Sequence, residues 1–320
     1  MEVDHVIKVT LTNEILKRIL EIDEKRFSLS TIEMPPVIKN RLRKNSKKKS
    51  SYASNKIEGN PLTEKQANEA IDSDPHKHFL KPEQEVRNYF LALNFLEEKL
   101  KKKEVFSKEM ILEVQAMVEK GASKEKIGLR GPMPPGMLFA VYDFETGAAE
   151  YIPPEYIDIP DLLDELVEYV NTTDDHPLII AAVVHYQLVT IHPFEDGNGR
   201  TARLMSGYIL DYYGYGFNGI GSLEEYFAYD PDEYYASLQM GLPALYYSGR
   251  ENPPHPEIWI NYFLRMMELY SKKVYELSKT SENDELDGSL SYLNAKEKEF
   301  LAFLLKKRLY EFTPIEVSKM

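Results

Sequence analysis

From Pro177 through Leu178, Ile179, Ile180, Ala181, Ala182, Val183, Val184 and on to Ile191, apolar residues fall on nearly every face of a helical projection. That is the pattern of a helix buried on all sides. His192 stands at its end. Pro193 has no N–H, and its ring clashes with the preceding turn, so the chain must break into a loop there. Beyond the loop, Thr201-Ala202-Arg203-Leu204-Met205 opens a second apolar helix expected to run through Leu204 to Leu210. Residues 86–96 carry a broad apolar face at helical spacing, Ser107 is a good N-cap ahead of Met110-Ile111-Leu112, and residues 295–305 read as an amphipathic helix. One stretch departs from helical period. Residues 137–154 run as an apolar, aromatic segment, a turn containing Gly147 and a second short strand ended by Pro153-Pro154, which reads as a β-hairpin. The pattern therefore predicts an all-α fold with one hairpin. Its parts are a helical N-terminal region over residues 1–105, a core over 106–275 and a tail over 276–320 that begins as a polar linker near 278–291. No internal repeat at a fixed period is present.

At 320 residues the chain is long enough for two domains or for one large helical domain with appendages. A hydrophobic content of 43% without a long uncharged apolar run argues against a transmembrane helix, so no membrane association is expected. The start, Met1-Glu2-Val3-Asp4-His5, lacks the basic and apolar regions of a signal peptide. The absence of cysteine removes disulfides, thiol catalysis and Cys-based zinc sites. A cytoplasmic location is the expectation. A formal net charge of −13 disfavours binding to a nucleic-acid duplex by the chain as a whole. One basic cluster, Arg41, Arg43, Lys44, Lys47, Lys48 and Lys49, reads as a solvated helix face, or alternatively as a docking surface for an acidic target. His76 and His78 read as a surface turn, and His185 as a hydrogen-bonded core histidine.

The loop after the buried helix concentrates chemistry. Ile191-His192-Pro193-Phe194-Glu195-Asp196-Gly197-Asn198-Gly199-Arg200-Thr201-Ala202-Arg203 holds a base, two acids, two glycines and two arginines. Gly197 and Gly199 let backbone N–H groups converge into an anion nest, and the helix that follows points its positive end at the same loop. Arg200 and Arg203, three apart, lie on one side of its first turn. Two guanidinium forks plus backbone amides suit a polyphosphate.

These residues resemble the Fic motif, HPFx(D/E)GNGRxxR, at every specified position. The resemblance implies a Fic helical core with a β-hairpin flap and transfer of AMP from ATP to a hydroxyl side chain of a target protein. In that reading His192 is the general base and Asp196 holds magnesium, Mg2+, between the α- and β-phosphates. Glu195 falls at the motif's variable position. Asn198 and the amides around Gly197 and Gly199 bind the α- and β-phosphates, Arg200 the β-phosphate and Arg203 the γ-phosphate, with Thr201 among the nucleotide-binding residues. A neutral imidazole near its ordinary pKa would suit the base. The hairpin, including Phe139, Ala140, Val141 and Tyr142 and preceded by Arg130-Gly131, resembles the Fic flap, which pairs with an extended target segment. Tyr234 and Tyr235 resemble the family's EYYxxL segment near the adenosine. Asp230-Pro231 replaces the Asn-Arg pair that many relatives carry just before it, and core or surface roles for the tyrosines remain open.

Ser54-Asn55-Lys56-Ile57-Glu58-Gly59 is similar to the family's inhibitory helix signature, (S/T)xxxE(G/N), which implies an ion pair of Glu58 with Arg203 that removes the γ-phosphate contact. Ser278-Lys279-Thr280-Ser281-Glu282-Asn283 fits the same pattern. The first copy is preferred because Ile57 can pack on a core and Gly59-Asn60-Pro61 can end a helix. Residues 312–320 resemble the start of a winged helix-turn-helix, so DNA is a partner only if that module is complete. Self-modification and self-association are further expectations. Three activities follow from the resemblance: AMP transfer held off by Glu58; removal of AMP, with Glu58 positioning a water; and a nucleotide-binding transcriptional regulator without catalysis. Doc-type kinase chemistry is disfavoured, because those relatives lack the Gly-Asn-Gly arrangement.

Overall fold

A computed structural model describes residues 5–123, 126–137, 139–142, 147, 149–240, 246–247, 255–282 and 295–307. The helices within them are α1 (Asn13–Ser30), α2 (Pro36–Ile57), α3 (Glu64–Asp72), α4 (Lys81–Lys101), α5 (Lys108–Glu119), α6 (Ile159–Thr172), α7 (Pro177–Ile191), α8 (Asn198–Tyr212), α9 (Glu224–Phe227), α10 (Pro231–Gln239), α11 (Pro256–Glu282) and α12 (Ala295–Lys307). The strands are β1 (Val141–Tyr142), β2 (Ala149–Ile152) and β3 (Tyr246–Tyr247).

The fold is built around α7. Every residue from Leu178 to Leu188 is buried, as its apolar composition requires. Full burial of a Leu, Ile or Val side chain contributes about 1.5–3 kcal/mol each, so this helix organises the rest. It packs chiefly on α8, and also on α6 and α11. Trp259 of α11 has no exposed surface, and its Nε1 donates to Ala182 O at 2.8 Å. Trp259→Ala would open a cavity under α7 at a cost of about 3–5 kcal/mol. The N-terminal helices form the outer layer: α1 lies along α11, and α2 crosses α4 and α9.

Local sequence explains where the elements near the site begin and end. Ser107 caps α5 by accepting from Met110 N at 3.2 Å. The helix after the loop starts at Asn198, earlier than the apolar residues alone indicate, because Gly197 takes φ +81° as its N-cap. Strand β1 pairs antiparallel with β2, Val141 opposite Tyr151, and β3 extends the sheet in parallel, Tyr151 opposite Tyr246. Helix α11 continues through Ser278 to Glu282, so the second signature copy closes a long helix. Residues 312–320, read as the start of a winged helix, lie outside the described residues, as do Leu138, Asp143 to Thr146 and Ala148 of the hairpin. Among the described residues no helix is long and apolar enough to cross a membrane.

Candidate active site

His192 ends α7 in the left-handed region, φ 48° and ψ 58°, with its N–H donating to Leu188 O at 3.2 Å. A non-glycine residue held there is strained, and Pro193 leaves the chain no helical alternative. Arg130 clamps the turn: its Nε donates to His192 O at 2.8 Å, its Nη2 to Pro154 O, and its own N–H to Pro193 O at 2.9 Å. The His192 Nδ1 lies 3.2 Å from Val189 O. A carbonyl only accepts, so Nδ1 carries the hydrogen and Nε2 the lone pair. Part of the ring surface stays open, yet burial of the remainder pushes the pKa down to about 4, with the nearby Arg130 charge acting the same way. The expectation of an ordinary imidazole pKa is therefore corrected. The ring is neutral at neutral pH with a wide margin.

The loop is braced from within. Asn198 Nδ2 donates to Phe194 O at 2.8 Å, and its Oδ1 accepts from Phe194 N at 3.0 Å. The Asn198 side chain thus shapes the loop, while its backbone opens the helix. The first-turn N–H groups of α8 have no carbonyl one turn back and face the loop. Gln115 ties the loop to α5: its Nε2 donates to Asp196 O at 3.2 Å and Lys126 O at 2.8 Å. Thr201 is fully buried.

The two motif arginines have different surroundings. Arg200, 3% exposed, donates from Nη2 to Glu119 Oε1 at 2.9 Å and to Asp196 Oδ1 at 3.1 Å, while its buried Nε and Nη1 make no hydrogen bond with any described residue. Burial pushes the Glu119 carboxyl up to about 7 in spite of the Arg200 charge. Asp196 goes the other way: burial would raise it, but Arg200 and Lys126 hold its pKa below the usual value. Arg203 has a partner at every nitrogen. It donates from Nε to Ser54 Oγ at 2.8 Å, from Nη2 to Ser54 O at 2.9 Å and Glu58 Oε1 at 2.7 Å, and from Nη1 to Tyr234 OH at 3.3 Å.

Glu58 reaches Arg203 because of how α2 ends. Gly59, at φ +78°, allows a Schellman closure in which Gly59 N donates to Lys56 O and Asn60 N to Asn55 O, each at 3.0 Å. Glu58 becomes the cap, with its carboxylate over α8. Asn60 Nδ2 then anchors to Glu85 Oε2 at 2.9 Å, and Glu85 Oε1 lies 3.9 Å from Arg200 Nη1. The basic residues of α2 are used inside the molecule. Arg43 and Lys47 share Glu97, Lys44 and Lys48 share Asp72, and Lys49 lies 3.1 Å from Glu225.

The flap lies beside the histidine. The Phe139 ring sits 5.9 Å from the His192 ring and under the Arg130 guanidinium at 4.7 Å, and Tyr151 OH donates to Thr190 O at 2.6 Å. Ala140 and Val141 are half-buried beside it, and Tyr142 is exposed. Tyr234 is buried; its hydroxyl meets His185 Nε2 at 2.8 Å as well as Arg203, so it braces the motif from behind. Tyr235 is exposed and donates to Ile57 O at 3.2 Å, next to Glu58. His185 is fully buried among aromatic rings, the nearest that of Trp259 at 4.8 Å. His76 and His78 are exposed, and among the described residues no group of three or more His, Cys, Asp or Glu side chains could hold a metal.

Sequence reasoning missed Glu119 and Gln115. One signal was available: Glu119 follows the apolar stripe Met110, Ile111, Val114 and Val118 on the buried face of α5. A carboxylate there needs a buried cation.

This helical fold, with a left-handed histidine before a two-glycine, two-arginine loop, is that of a known class. Residues 105–210 match the model of the Fic/DOC family, and the chain is a Fic-domain protein. It is 29% identical over 211 residues to the protein adenylyltransferase Fic of Drosophila grimshawi, covering 62% of this chain and 40% of that one. The corresponding protein of Nematostella vectensis is 31% identical over 197 residues, covering 59% and 43%. The chain thus spans about two-fifths of the length of these curated relatives. A Fic family protein from Desulfovibrio desulfuricans superposes with a TM-score of 0.67 at 23% identity, covering 85% of this chain and 77% of that one. A Fic-1 fragment from C. elegans gives 0.65 at 25% identity, covering 83% and 73%.

Proposed function

We propose that the chain is a protein adenylyltransferase, moving AMP from ATP to a hydroxyl side chain, held off by Glu58. The observation that carries this reading is the unequal state of two guanidiniums at one helix N-terminus. Arg200 keeps two buried nitrogens, Nε and Nη1, without a hydrogen-bond acceptor among the described residues, and Arg203 is closed by Glu58 at 2.7 Å. Orphaned buried donors beside first-turn amides suit phosphate oxygens. Glu58 competes for the third anionic position, so ATP binds without its γ-phosphate in place.

When Glu58 is displaced, the target oxygen bonds to the α-phosphorus as the bond to the β-phosphate oxygen breaks. The hydroxyl proton goes to His192 Nε2 and pyrophosphate leaves. His192 is suited to the base role because its lone pair is available at neutral pH and its ring is fixed by the left-handed turn. Asp196 is the residue that would hold Mg2+. Its donor chemistry fits: an ionised carboxylate, 28% exposed, next to the anion loop, is a usual magnesium ligand when phosphates supply others. The ion, when bound, neutralises phosphate charge. A cytoplasmic setting, an extended target segment on the flap and self-modification complete the proposal.

The test is incubation with ATP labelled at the α-phosphate and Mg2+, following covalent label on protein. Strong labelling by Glu58→Gly, weak labelling by the unsubstituted chain, and none by Glu58→Gly with His192→Ala are expected. No label in any of the three overturns transfer. Release of AMP from premodified protein that depends on Glu58 would favour removal instead.

A further inference from the structure

The ion pair of Glu58 with Arg203 joins α2 to α8, and a third helix touches both of its ends. Tyr234 and Tyr235 are consecutive residues of α10, so their side chains leave the helix about 100° apart. Tyr234 turns inward: its hydroxyl accepts from Arg203 Nη1 at 3.3 Å and meets His185 Nε2 at 2.8 Å. Tyr235 turns the other way, 47% exposed, and donates to Ile57 O at 3.2 Å, one residue before Glu58. The two rings lie edge to face, their centroids 5.0 Å apart. One tyrosine therefore holds the cation of the pair, and its neighbour holds the backbone next to the carboxylate.

Ile57 is the last residue of α2, so its carbonyl has no helical N–H beyond it to accept from. The closure at Gly59 engages Lys56 O and Asn55 O, and the Tyr235 hydroxyl engages Ile57 O from outside the helix. Asn60 Nδ2 adds a second grip on the same turn, donating to Pro82 O at 3.0 Å and Glu85 Oε2 at 2.9 Å on α4. Helix α10 is itself fixed. Asp230 Oδ1 accepts from Glu233 N at 3.0 Å at its start, and Glu233 pairs with Arg265 of α11. The buried Tyr234 ring packs against Phe227 at 5.4 Å and Trp259 at 6.2 Å. A hydroxyl carried by so anchored a helix limits where the last turn of α2 can lie, and with it the Glu58 carboxylate.

We propose that Tyr235 is a positioning residue of the inhibited state: its hydrogen bond to Ile57 O holds the turn that carries Glu58 against Arg203, so α10 sets how firmly AMP transfer is held off. This rests on the reading of Glu58 as the inhibitor. A neutral hydrogen bond contributes less than a charge-assisted one, so Tyr235 tunes the closed state while Glu58 creates it. Release of Glu58 then has a starting point away from the ion pair, at a hydroxyl on the solvent-exposed face of α10.

Tyr235→Phe removes the hydroxyl and keeps the ring, at a position exposed enough for the fold to tolerate the change. Initial rates of label transfer from ATP labelled at the α-phosphate are compared for the unsubstituted chain, Tyr235→Phe, Glu58→Gly and the double variant. Tyr235→Phe is expected to raise transfer by about threefold when Glu58 is present, the worth of one neutral hydrogen bond, and by a clearly smaller factor when Glu58 is absent. In parallel, hydrogen exchange at the Gly59 and Asn60 amides, which donate within the turn, is expected to speed up by about threefold in Tyr235→Phe while the amides of α7 stay unchanged. No rise in the presence of Glu58, the same factor in both backgrounds, as a direct contact of Tyr235 with the nucleotide would give, or unaltered exchange at the turn would each overturn the proposal. If none of the four proteins transfers label, the transferase reading fails, and the exchange measurement still decides whether Tyr235 holds the turn.

Discussion

The Glu58 carboxylate lies over the α-carbon of Gly199, so close that a methyl group on Gly199 would overlap Oε1. A residue at the C-cap of one helix thus occupies the anion-facing surface at the start of another. The contact spans a wide sequence separation, and its partner Arg203 takes a second grip from Ser54 one turn earlier on α2. The two grips differ in kind: Glu58 supplies charge, and Ser54 supplies geometry.

Glu58→Gly is therefore expected to raise label transfer from ATP by about tenfold or more, because a charge-assisted hydrogen bond is worth about 1.5–3 kcal/mol. Ser54→Ala should raise it less, since the ion pair survives. Initial rates of α-label incorporation measure both; equal or inverted effects would contradict this division.

Glu119 beneath Arg200 predicts a binding defect more than a chemical one. In the Glu58→Gly background, Glu119→Gln should raise KM for ATP by about tenfold with a smaller change in kcat, because Arg200 Nη2 loses one of its two carboxylate acceptors and the guanidinium is held less firmly. Glu119→Ala should destabilise the fold by about 1–3 kcal/mol, because it removes the buried acceptor of Arg200 Nη2 and leaves Asp196 as its nearest carboxylate. Steady-state kinetics and denaturant unfolding separate the two. An unchanged KM in the Gln variant would remove Glu119 from a role at the nucleotide.

Gly197 has φ +81°, and a Cβ there would lie 2.8 Å from Glu119 Oε1. Gly197→Ala is expected to cost about 1–2 kcal/mol from backbone strain alone and to disturb Arg200 through Glu119. A lowered thermal midpoint together with a raised KM for ATP is the predicted pair of effects.

His192 predicts the acid side of the pH profile. Its folded pKa is about 4, below the 6.5 of an unstructured histidine. Above pH 6.5 both states are neutral. As pH falls from 6.5 towards 4, the unfolded chain takes up a proton that the folded site does not, so stability declines across that window. Below it the penalty is complete. For activity, the base form persists through pH 5, so the acid limb of kcat/KM in Glu58→Gly should show no inflection at 6.5 attributable to His192. A limb at 6.5 would mean the ring is more solvated than its burial implies.

Much of the site was legible because its parts are neighbours in sequence. His192, Pro193 and the two glycines act through backbone geometry that extends only a few residues, and the fully apolar α7 announces its own burial. The role of Tyr234 was less legible. An EYY segment reads equally as a nucleotide contact or as part of the core, and packing turns this hydroxyl inward to His185 and Arg203. The cluster on α2 reads as a basic surface until its partners Glu97, Asp72 and Glu225 are brought in from three other elements.

The sequence by itself determined the all-helical class, the single hairpin, the break at Pro193 and the loop that gathers anion-binding groups, since each depends on dihedral preferences and periodicity within one element. Only the tertiary structure decided which of two similar signatures faces Arg203 and that Glu119 lies beneath Arg200. Those contacts join residues far apart along the chain. Their existence depends on how α2, α5 and α8 pack around α7, where burial and shape decide which side chains meet.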